Sequence, residues 1–95
     1  MDVSPAEPQH RVTLDGEYDL TRKEEIAVLF AALDISEPVH VDLTNVTYMD
    51  STVLHELAAL RLRCDDITLA GPSDNIRRIL HLTHLDKLFH ITDPS

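Results

Sequence analysis

The feature that most restricts the fold is a change of period inside one unbroken stretch, Val39 to Arg63. VHVDLTNVTYMD is rich in β-branched residues and sets Val39, Val41 and Leu43 on one face, the two-residue repeat of a strand. Val46 to Met49 carries that strand to the edge of the core. At Asp50 the pattern stops. From about Thr52 to Arg63, Val53, Leu54, Leu57, Ala58, Leu60 and Leu62 recur at helical spacing and cover more than one face. A helix that broad in its apolar cover packs on two sides, against a sheet and against a neighbouring helix.

The same alternation extends to both sides. HRVTLDG places Val12 and Leu14 as a half-buried strand ending at Gly16. Thr21-Arg22-Lys23-Glu24 reads as a Thr-x-x-Glu capping box, opening a helix with Ile26, Leu29, Phe30 and Leu33 in one stripe. Pro38 closes it. ITLAGP is a strand stopped by Gly71-Pro72, and Ser73 caps a helix carrying Ile76, Ile79 and Leu80. A turn over His84 to Lys87 leads into LFHI, a short closing strand. The order β-α-β-α-β-α-β, with helices of about ten residues between strands, predicts right-handed crossovers and a mostly parallel sheet. Met1 to Gln9, acidic and Pro-containing, reads as a loose arm, and 10–95 as one α/β domain.

Charge limits the partners. Seventeen acids against 8 Lys and Arg give a formal net charge of −9. That surface repels phosphate backbones, so nucleic acid is not an expected partner, whereas a basic protein face is. No apolar run is long enough to enter a bilayer. The N-terminus lacks the basic and apolar regions of a signal peptide. A single cysteine, Cys64, suits a reducing compartment, and the expected location is the cytoplasm.

Chemistry in parallel sheets gathers at the carboxyl ends of strands, where Asp50-Ser51-Thr52 falls and where Asp19 can approach from the adjacent loop. The plain account of the triplet is helix capping, worth about 1 kcal/mol. One cap suffices, however, and three candidates are consecutive. A hydroxyl at a helix N-terminus also suits phosphorylation, since the helix end stabilises added negative charge by about 0.3–1 kcal/mol. A hydrolase elbow needs Gly-x-Ser-x-Gly, and Ser51 has no flanking glycine. His55, one turn on, has no orienting acid. A phosphate-accepting Asp50 of the receiver type needs an early acidic pair for a metal and a late lysine. Asp15, Glu17 and Asp19 are spaced otherwise, and ITLAGP ends without lysine. His81-x-x-His84 lacks a third ligand. Cys64 reads as a small packed residue, and Arg77-Arg78 as facing solvent or local acids. No metal or cofactor is expected.

Three segments together resemble one family across nearly the whole chain. LDGEYDL is similar to its Gly-Glu-Leu-Asp-Leu segment. VDLTNVTYMDST is similar to its Asp-Leu-Ser-x-Val-x-Phe-x-Asp-Ser-Ser/Thr-Gly core, and ITLAGPSDNIRRILHLTHLDKLFHI to its C-terminal third. This is the STAS domain of bacterial anti-sigma-factor antagonists and sulphate transporters. The resemblance implies a single small domain, a mostly parallel mixed sheet of four to five strands with helices mainly on one face. It also implies partner switching. A non-enzymatic antagonist binds an anti-sigma factor that is itself a serine kinase, until phosphorylation at Ser51, with Thr52 as the adjacent alternative, ends binding. A PP2C-like phosphatase then restores it. The implied docking surface is Asp19, Leu20 and Thr21 with Asp50, Ser51, Thr52, Val53, Leu54 and Glu56. Short stand-alone STAS chains also serve as accessory subunits of ABC-type lipid-transport ATPases, the alternative implied role. One departure stands out: Val53 occupies the place of the family glycine, where a β-branched side chain is expected to stiffen the site and narrow the approach.

Overall fold

The structure, a computed structural model, describes residues 10–93; the arm expected over Met1 to Gln9 lies outside them. The chain runs β1 (Arg11–Tyr18), a 3-10 turn (Leu20–Arg22), α1 (Lys23–Ala31), β2 (Val39–Met49), α2 (Ser51–Arg63), β3 (Ile67–Ala70), α3 (Asp74–Leu82), a second 3-10 turn (Leu85–Lys87) and β4 (His90–Thr92). Four strands form one sheet in the order β1-β2-β3-β4. Every pairing is parallel. Stepwise order with right-handed crossovers puts all the connecting helices on one side of the sheet. The other side carries polar residues such as Arg11, Thr13, His40 and Asp42 around shallow hollows.

One core lies between sheet and helices. Leu14, Val41, Leu43 and Leu69 from the strands meet Ile26, Leu57, Ile76 and Leu80 from the helices, all fully buried. Each such side chain contributes about 1.5–3 kcal/mol by leaving water. Packing of α2 against both β2 and α1 accounts for its broad apolar cover. Leu62 is the exception: it is 89% exposed and does not join the core.

Several boundaries differ from expectation: α1 ends at Ala31, short of Leu33, and the closing strand covers His90–Thr92 rather than LFHI. β1 does not end at Gly16 but runs on to Tyr18, because Gly16 takes φ +79° at a register shift and lets the strand resume. Nor does Thr21 form a capping box with Glu24. Its amide instead bonds to the Asp19 carboxylate, which caps the 3-10 turn, and α1 proper starts at Lys23. Elsewhere local chemistry acts as the sequence suggests. The Ser73 hydroxyl accepts from the Ile76 amide at 3.3 Å, and Cys64 is buried with its thiol donating to the Asp66 carbonyl.

Candidate functional site

The site forms where β1 and β2 end side by side, with Tyr18 paired to Met49. Reaching that register takes two extra residues in β2. Thr13 faces Asp42 but Asp15 faces Asn45, and Gly16 faces Val46 but Glu17 faces Tyr48. These bulges change the inward spacing from two to three, so that Leu43, Val46 and Met49 all enter the core. At the first bulge the Asp42 carboxylate accepts from both the amide and the hydroxyl of Thr44, at 2.9 and 2.6 Å. The strand then delivers Asp50 beside β1, where its amide donates to the Tyr18 carbonyl at 3.1 Å.

Asp50 caps α2. Its carboxylate accepts from the Thr52 amide at 2.9 Å and more distantly from that of Val53, at 3.4 Å. The cap leaves the two hydroxyls uncommitted. Ser51, the first residue of α2, is exposed. Neither its hydroxyl nor that of half-buried Thr52 has a hydrogen-bond partner among the described residues. No hydrogen bond links Ser51 to exposed His55.

The loop after β1 closes differently. Asp19 accepts from the Thr21 amide at 3.0 Å and also from the Thr21 hydroxyl. The hydroxyl first, then the amide, hold the Asp19 carboxyl below its ordinary value. Leu20 is 66% exposed between them. Arg22, partly exposed, anchors the loop from the surface side. Its guanidinium donates to the Asp15 and Glu17 carbonyls at 3.0 and 3.1 Å, on either side of Gly16. The same group donates to the Tyr18 hydroxyl at 3.2 Å and lies 3.9 Å from the centre of that ring. It reaches α1 as well, through Glu25 at 2.7 and 3.0 Å.

The expected docking residues therefore separate into two groups. Asp19, Leu20, Thr21, Asp50, Ser51, Thr52 and Glu56 are exposed or half-buried at one end of the sheet. Val53 is fully buried and Leu54 is 7% exposed. Those two support the surface from beneath. Val53 in particular turns into the core, so its branched side chain does not narrow the approach to Ser51.

Two features escaped the motif reading. The Tyr18–Arg22 clamp joins residues four apart around a turn, just past a bulge that sequence does not reveal. The other was legible: wholly within the described residues, Asp-x-Ser/Thr occurs at Asp19, Asp34, Asp42, Asp50 and Asp66. In the first three the carboxylate accepts both the amide and the hydroxyl of the second following residue. At Asp50 the Thr52 amide bonds and the hydroxyl is left out; at Asp66, where Thr68 already lies in β3, neither group bonds to the carboxylate. No metal-holding group of His, Cys, Asp or Glu occurs among the described residues. His81 instead lies 3.1 Å from Asp86.

Fold and site define a small parallel α/β domain that presents an acid-capped pair of hydroxyls on a surface rather than in a deep cleft. The family model described as "Mlab, STAS domain" matches residues 1–92, and the chain belongs to the STAS domain family. It is similar to proteins named anti-sigma-B factor antagonist from Staphylococcus aureus and Staphylococcus epidermidis. Each is 31% identical over 90 residues, covering 88% of this chain and 83% of the relative. Among the described residues, no helix is long and apolar enough to cross a membrane.

Proposed function

We infer that this chain is a non-enzymatic anti-sigma-factor antagonist, and that its Ser51 hydroxyl is the switch. The observation that carries the reading is the Ser51 side chain itself: exposed, unbonded among the described residues, directly after the capping Asp50, and next to the exposed Asp19-Leu20-Thr21 loop. The similarity to anti-sigma-B factor antagonists supports the class of partner.

In its unmodified form the chain docks this end of the sheet on an anti-sigma factor and so releases the sigma factor. That anti-sigma factor, acting as a serine kinase, transfers the terminal phosphoryl group of ATP to Ser51 Oγ, which loses its proton. A PP2C-like phosphatase hydrolyses the ester. Phosphate adds about −1.5 to −2 charge beside Asp50 and Asp19. Burying it against the partner without a matching cation weakens association by about 2–4 kcal/mol, on the order of 30- to 1,000-fold. The helix needs no refolding for this, since phosphate at the α2 N-terminus is electrostatically tolerated.

Incubation with the cognate kinase and ATP is expected to add one phosphate by mass, and Ser51→Ala to abolish the gain. Ser51→Glu is expected to lose binding to the anti-sigma factor. Parent-like binding by that variant would sink the electrostatic switch. Stable recovery with an ABC-type ATPase subunit, unaffected by Ser51→Glu, would move the chain to the accessory-subunit role.

A further inference from the structure

We propose that the outer face of α2 is a self-association surface, on which two copies of this chain pair their α2 helices antiparallel about an axis beside Ala59. The argument starts from what the core leaves out. His55, Ala58, Ala59 and Leu62 fall at spacings of three, four and seven, on one stripe of α2 pointing away from the sheet. With Leu88 and Arg61 they line an open groove of about 370 Å³. Leu62 is 89% exposed and Leu88 40%. Arg61 fixes the groove wall, donating to the Leu88 carbonyl at 3.0 Å and to Asp65 at 3.1 Å.

Charge selects the occupant. A chain of net charge −9 meets a copy of itself most easily where its surface lacks carboxylates, and no acid lines this groove. The flank of the stripe adds self-complementarity. Glu56 and Arg63 are seven residues apart, two turns along the same side of α2. A two-fold axis between positions 59 and 60 sets residue 56 of one copy against residue 63 of the other. Two Glu56–Arg63 pairs then bracket the Leu62 and Ala59 contacts, and the small alanines permit close approach of the helices. The twofold relation makes the contact self-limiting at two copies.

This pairing leaves the phosphoacceptor open. At 1.5 Å per residue Ser51 lies about 13 Å from the axis, while the second copy's α2 ends about 5 Å from it. Glu56 is shared with the expected docking surface, but the test below reads mass in the absence of any partner, so the inference stands or falls apart from the role given to Ser51. One short helix pair buries less than the roughly 1,200–2,000 Å² of a stable interface, so the dimer is weak.

Sedimentation of the full chain from about 20 μM to about 2 mM is the test, with dissociation expected on the order of 0.1–1 mM. Average mass should climb with concentration towards that of two chains. Leu62→Asp, at a solvent-facing position, should keep the parent's circular dichroism and melting temperature and lose the rise. Ala59→Gln, also exposed, repeats the test should Leu62→Asp misfold. Arg63→Glu should weaken dimerisation about tenfold, and adding Glu56→Arg should restore it. A parent that stays monomeric at the highest concentration overturns the proposal and leaves the groove to another protein's helix. It is overturned equally if well-folded Leu62→Asp dimerises like the parent, or if the charge exchange fails to restore what the single reversal removes.

Discussion

Two turns that share an Asp-x-Thr pattern stand side by side at the carboxyl ends of β1 and β2, and they are closed in opposite ways. In Asp19-Leu20-Thr21 the carboxylate accepts from both the amide and the hydroxyl of Thr21. Asp50-Ser51-Thr52 uses only carboxylate and amides, leaving both hydroxyls free of partners among the described residues. The residue three positions after each aspartate follows the same division. After Asp19 it is Arg22, a partly exposed clamp tied to carbonyls, a ring and a carboxylate. After Asp50 it is Val53, buried in the core. The first turn is thus held from the surface and the second from beneath. Support from beneath is what lets a hydroxyl stay open while its backbone stays fixed.

The largest test of that contrast is Val53→Gly, which installs the residue the family usually carries. Removing a buried valine costs about 1.5–3 kcal/mol, and glycine within a helix costs about 1 more. A total near 3 kcal/mol should lower the melting temperature by about 15 °C in a domain of this size. A neutral outcome would mean that the neighbouring core closes over the gap and that Val53 supports nothing. Next comes Arg22→Ala, which strips the clamp from the first turn. Hydrogen bonds from charged groups are worth about 1.5–3 kcal/mol, but the released carbonyls can reach water. The expected loss is about 2 kcal/mol by denaturant titration, with the slope of the transition unchanged. Ser51 chemistry should survive that change, because Asp50 still bonds to the Tyr18 carbonyl.

Much of this was legible beforehand because hydrophobic period is set by burial. The switch from Val39-Val41-Leu43 to the α2 spacing located Asp50 and Ser51 at a strand end, and Ser73 announced α3. What failed to show depended on contacts distant from the local pattern. The two β2 bulges follow from pairing with β1, so their effect on Val46 and Met49 has no local signature. The Thr21 capping box lost to Asp19 because an aspartate two residues earlier reaches both the amide and the hydroxyl of Thr21, leaving nothing for Glu24 to complete. Leu62 fits the helical repeat yet projects into solvent, since apolar spacing cannot tell a core stripe from a surface one. Val53 falls on the docking surface that the family resemblance implies, whereas its direction depends on where α2 meets the sheet.

The smallest expected effect isolates the hydroxyls themselves. Thr21→Val removes a hydroxyl that bonds to Asp19, and should cost about 0.5–1.5 kcal/mol. Thr52→Val removes one that bonds to nothing described, and should fall within about 0.5 kcal/mol of the parent. Acid sharpens the difference. The Asp19 carboxyl is held below its ordinary value chiefly by the Thr21 hydroxyl and secondarily by the Thr21 amide. A carboxylate depressed in the folded state stabilises the fold above its unfolded value, and that contribution is lost as pH falls through the lower folded value. Melting temperature followed from about pH 6 to about pH 2 should therefore fall less steeply in Thr21→Val than in the parent, because the variant has less of this contribution to lose. Thr52→Val should trace the parent's curve. Parallel curves for all three proteins would show that the Thr21 hydroxyl leaves Asp19 unaffected, and the two turns would then differ in geometry alone.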